Sequence, residues 1–95
     1  MDQNAQRIEL NRKIAELTAA RDAATGDAAK AEILTQIEAT ERLVNLINVG
    51  AADELGARID EIVAALREIE TRHPLDALSS LGRAADSLRN FREQL

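Results

Sequence analysis

Apolar side chains recur along this chain at steps of three and four, and nothing alternates with period two over a useful length. That is the period of an α-helix. The cleanest run is Ala52, Leu55, Ile59, Ile62, Leu66 and Ile69, with Val63 widening the seam. It forms a short heptad stripe of the kind that packs helix on helix. A second runs through Ala77, Leu81, Ala84, Leu88, Phe91 and Leu95, with Leu78 and Ala85 beside it. Asp76, Ser79, Arg83, Asp86, Asn90 and Glu93 fall on its opposite side. Nearer the N-terminus, Leu10, Ile14, Leu17 and Ala24 mark one face, and Ile33, Leu34, Ile37, Val44 and Ile47 mark another. Good helix formers fill the remaining positions. The pattern predicts four helices, at about 3–24, 27–48, 51–72 and 75–94, each roughly 30 Å long.

The breaks between them carry their own chemistry. Gly26 suits a left-handed helix end, and Asp27 can cap the helix that follows. A link this short forces an antiparallel hairpin. The rival is one long helix through Gly26, which costs only about 1 kcal/mol relative to alanine. Asn48 or Gly50 ends the second helix, and Asp53 and Glu54 place negative charge in the first turn of the third. Pro74 cannot continue a helix but suits the first turn of a new one, and it pushes His73 away from helical geometry. The expected fold is all-α: four antiparallel helices arranged as two helical hairpins, in a single domain over residues 1–95.

Composition limits what such a bundle can be. The chain has 23 Leu, Ile and Val, one Phe and 18 Ala in 95 residues. That supports a thin aliphatic core, and self-association would help a chain so small. No cysteine is present, so disulfides and thiolate metal sites are excluded. The N-terminal stretch lacks the apolar run of a secretory signal, and the longest apolar-rich segment, LVNLINVGAA, is far short of a membrane span. A soluble cytoplasmic protein is expected.

Net charge is −5, and the acidic excess sits in residues 25–74. Nucleic-acid binding calls for a basic stripe and, for single strands, stacking aromatics. Here Phe91 is the only aromatic, and Arg83, Arg89 and Arg92 are matched by Asp76, Asp86 and Glu93. The charges otherwise read as solvated faces, with Glu9–Lys13, Glu38–Arg42, Glu54–Arg58 and Glu68–Arg72 in the favourable i,i+4 order.

Two stretches depart from a plain amphipathic bundle. In LVNLINV the apolar residues surround the helix, with Leu46 about 180° from Ile37 at 100° per residue. Either a neighbouring helix of the same chain covers the second side, or another subunit does. This makes Leu43, Leu46, Ile47 and Val49 the expected interface of a homodimer or larger homo-oligomer. In the first helix Ile8 lies opposite Leu10, on a side otherwise lined by Ala5, Ala15, Ala19 and Ala23. Gly56 and Gly82 interrupt the third and fourth helices and are expected to be tolerated, without a function.

One motif suggests chemistry. In EIETRHP, Glu70 and His73 stand three apart, the spacing with which bundle di-metal sites hold iron. The chain has one histidine, and Glu41 is the only inward carboxylate available as a further donor. Ile69, not Glu70, occupies the apolar seam. A histidine in a last helical turn also satisfies free carbonyls and the negative helix end. The motif is therefore expected to stop a helix, with no metal, cofactor or small-molecule substrate bound. No cysteine nucleophile or glycine-rich phosphate loop is present, and Ser79, Ser80 and Ser87 offer no base partner in sequence. The expected function is a non-enzymatic interaction module, adaptor-, immunity-, antitoxin- or chaperone-like, working by helix-on-helix contact with itself or a protein partner. A ferritin-like metal bundle completed by dimerisation and a structural subunit of a larger assembly are the alternatives.

Overall fold

Four helices account for nearly all of the computed structural model, which describes residues 1–74 and 79–95. They are α1 (Gln3–Ala23), α2 (Asp27–Asn48), α3 (Ala52–Arg72) and α4 (Ser79–Glu93). No strand occurs among the described residues. Each helix packs on the next, and α4 returns to α1, closing a ring of antiparallel neighbours. The two expected hairpins are present. The bundle measures 38 × 18 × 18 Å. Among the described residues no helix is long and apolar enough to cross a membrane.

Helix ends follow local chemistry, with one correction. Asp2 caps α1, its Oδ1 accepting from the Ala5 N–H at 2.7 Å. Gly26 does not take the left-handed conformation expected of it. Its φ is −91°, and it is the N-cap residue of α2, with Asp27 as the first residue inside the helix. The chain leaves α1 through Ala24 in extended geometry, so the hairpin needs no left-handed residue there. Gly50 is the residue that needs it, at φ 71°. The Gly50 N–H donates to Ile47 O at 3.1 Å and the Ala51 N–H to Leu46 O at 3.0 Å. This is the Schellman arrangement that satisfies the last carbonyls of α2. Asp53 and Glu54 lie in the first turn of α3 as expected. His73 ends α3 off helical geometry (φ −129°, ψ 58°), its N–H bonded to Ile69 O. Pro74 is an exposed turn residue after α3, and the expected start of the fourth helix at residue 75, with Ala77 and Leu78 on its core face, lies outside the described residues.

One core fills the ring. Leu10, Leu17, Ile33, Ile47, Leu55, Ile59, Leu66, Ile69, Leu81, Leu88 and Phe91 are fully buried in it. The α3 seam is buried as expected except for exposed Ala52. The α2 face differs in two positions, since Val44 is only half-buried against the core. Leu34 is 39% exposed, because it lies beyond the edge of the stripe defined by Ala29, Ile33, Ile37, Leu43 and Ile47. Thr40 sits in that stripe, fully buried, and its hydroxyl donates to Gln36 O at 2.7 Å. A buried hydroxyl is tolerated when it is bonded in this way.

Candidate functional site

The seam between α2 and α3 opens to the surface along most of its length. Its wider part is a groove of about 570 Å³. Helix α2 contributes Gln36, Ala39, Arg42, Leu43, Asn45 and Leu46, and α3 contributes Glu54, Arg58, Glu61, Ile62 and Ala65. A narrower extension of about 210 Å³ shares Gln36 and Ala65 and continues to Glu32 and Arg72. The floor is aliphatic because both helices turn their core seams inward at this place. The lips are charged because the residues one step outside each seam are polar. Arg58 donates to Glu61 at 3.1 Å and lies 3.8 Å from Glu54. Arg42, on the opposite lip, has no ion pair among the described residues.

The four residues expected to form an interface divide. Leu43 and Ile47 are buried in the chain's own core. The expected reading of an all-round apolar helix is thus met in part by the neighbouring helices. Leu46 is half-buried and lines the groove. Val49 is 75% exposed beside the turn. Ile8 is 49% exposed on α1, a helix that contributes nothing to the groove lining.

The polar end of the seam holds the histidine. His73 Nε2 donates to Glu32 Oε2 at 2.5 Å, and Arg72 Nη2 donates to Glu32 Oε1 at 2.7 Å. Arg72 also lies 3.3 Å from Glu68. One carboxylate of α2 therefore ties down the end of α3. Partial burial alone would raise the Glu32 carboxyl, but the hydrogen bond from His73 and the charge of Arg72 outweigh it, and the net shift is downward. This contact was not foreseen from sequence, since the two partners stand about forty positions apart.

Glu70 and His73 do not converge. Glu70 accepts from Arg67 Nη1 at 3.0 Å and lies against Gly82 of α4, while His73 turns to Glu32. Arg67 also bonds Asp86, linking α3 to α4. Glu41 is exposed and does not face inward. Among the described residues no three His, Asp or Glu side chains gather as metal ligands would. The interior glycines acquire a reason here. A Cβ on Gly56 would stand 2.7 Å from Cζ of Arg92, whose guanidinium lies over α3 on its way to Asp60, and one on Gly82 would stand 3.1 Å from Glu70 Oε2.

The fold and this surface define a small antiparallel four-helix bundle whose α2–α3 seam is open. No family model, curated protein or solved structure matches the chain.

Proposed function

We propose that the protein is a non-enzymatic, acidic helical interaction module of the cytoplasm, working by helix-on-helix contact, and that its first partner is a second copy of itself. The observation that supports this reading most is the open α2–α3 groove, with an aliphatic floor and lips of mixed charge. Grooves of this form take a helical surface. A twofold pairing covers the groove, and the half-buried Leu46, on both copies at once. The experiment is sedimentation of the purified protein at micromolar concentrations. The expected result is a dimer that Leu46→Glu dissociates, because a carboxylate in a dry contact loses its hydration without a partner. Ile8→Glu, on another face, leaves it intact. A monomer at high micromolar concentration, or a dimer indifferent to Leu46→Glu, would overturn the reading.

A further inference from the structure

We infer that the α2–α3 groove fits a cationic amphipathic helix of another protein, and that such a helix displaces the second copy. This rests on the reading of the groove as a helix-docking surface, not on self-association itself, and names the chemistry of the partner.

The inference comes from the way charge is divided around the ring. Helices α2 and α3 carry ten acidic against five basic side chains. Helices α1 and α4, the other half of the ring, carry five acidic against seven basic. The helical excess of negative charge therefore lies wholly on the pair that flanks the groove. Beside the groove, Glu54 and Glu61 share Arg58, and Glu32 and Glu68 share Arg72. Each arginine answers one carboxylate and leaves one in excess. Glu38 stands exposed one helical turn from Arg42 on the α2 side.

The floor sets the shape of the partner. Ala39 on one side and Ala65 on the other leave depth between Leu43, Leu46 and Ile62. Large apolar side chains recurring at three and four positions along a helix fill such a groove. From Glu32 to Leu46 the α2 side runs about 21 Å at 1.5 Å per residue, so a partner helix of about four turns covers the seam.

A second copy is the poorer occupant. Pairing the same face twice sets one acidic helix pair against another, and like charges oppose the contact. A helix with an apolar stripe and lysine or arginine beside it meets both the floor and the charge. Salt separates the two cases, because screening weakens the attraction for a cationic helix and relieves the repulsion between copies.

The test uses three synthetic peptides of about 15 residues, long enough for four turns. One has leucine on one helical face and lysine on the other, the second replaces lysine with glutamate, and the third scrambles the lysine–leucine order. Binding to the full chain is read by fluorescence anisotropy, and stoichiometry by sedimentation. The amphipathic lysine peptide should bind one chain, dissolve the dimer, and bind on the order of tenfold more tightly than either other peptide. Its affinity should fall several-fold between about 50 and about 500 mM salt, while the dimer alone tightens over the same range. Glu38→Gln, Glu54→Gln and Glu61→Gln together should weaken the peptide on the order of tenfold and tighten the dimer. Glu16→Gln, Asp22→Asn and Glu93→Gln, which remove as many charges from α1 and α4, should change both by less than about twofold. A lysine peptide no tighter than the other two, or one weakened equally by both triple variants, overturns the cationic partner and leaves the second copy as occupant. A dimer that loosens with salt overturns the claim that charge disfavours the second copy. A chain that is monomeric at high micromolar concentration, yet binds the lysine peptide in the expected pattern, removes self-association and supports the cationic partner.

Discussion

Gly56 shows how one residue is chosen by a neighbour rather than by its own backbone. Its conformation is helical, and the space its side chain would fill is taken by the guanidinium of Arg92. Arg92 is the far end of a flexible side chain and can move aside. Gly56→Ala gains about 1 kcal/mol of helix propensity and disturbs an exposed Arg92–Asp60 pair that contributes about 0.2–1 kcal/mol. The expected net effect in urea denaturation is a small stabilisation, rising toward the full helix-propensity gain when Arg92→Ala clears the site first. Glu32 makes a second prediction. Its folded carboxyl titrates below the ordinary value, so the stability it contributes is present above that value and is lost as pH falls through the folded one. Glu32→Gln should therefore unfold at lower urea than wild type at pH 7, and the gap should close below about pH 4, the ordinary carboxylate range. A gap that persists in acid would show that the hydrogen-bond geometry, not the charge, carries the contact. Neither site was legible in sequence. Both are made by side chains from different helices, and spacing along one helix reports nothing of what leans across from the next.

At the scale of elements, the two loop glycines part company. Gly50 has φ 71°, with no side-chain atom closer than 3.7 Å to its would-be Cβ, so strain there comes from the backbone alone. Gly50→Ala should cost about 1–2 kcal/mol, the left-handed penalty for an L residue. Gly26 sits at φ −91° and ψ 138°, open to any residue, and Gly26→Ala should change the urea midpoint little. Equal losses at both positions would show that the α1–α2 link is more constrained than its dihedrals imply. Sequence placed both breaks correctly and misjudged only which glycine needed its freedom, since glycine is enriched at both ends of helices for different reasons. The helices themselves were legible because their apolar seams are regular. The α3 stripe from Leu55 to Ile69 is buried as its spacing implies. Helix α2 was harder. Thr40 takes a core position by bonding its hydroxyl to the backbone, and Leu34 yields its place to the surface. The groove was invisible for another reason. It exists only where two lips face each other, and the surplus of apolar residues at 43–49 hinted at one lip alone.

For the molecule as a whole, stability rests on one thin core. Phe91 is its single aromatic side chain and is 2% exposed. Phe91→Ala should cost about 3–5 kcal/mol, a large part of the roughly 5–15 kcal/mol that holds a domain of this kind together. Thermal or urea unfolding should show the variant barely folded at 25 °C, and a loss under about 1 kcal/mol would mean the ring can collapse to fill the space. The ring has a further consequence. Four helices that alternate in direction bring both chain ends back to where α2 turns into α3. The Gln3 amide lies beside Gly50, and Arg92 lies over Gly56. A few linking residues between Leu95 and Met1 would therefore close the backbone into a circle, which could be reopened between Ala24 and Asp27 with every helix still against its neighbours. By the same placement, anything tethered to either end emerges at the end of the bundle where α2 turns into α3, from the α1–α4 side of the ring.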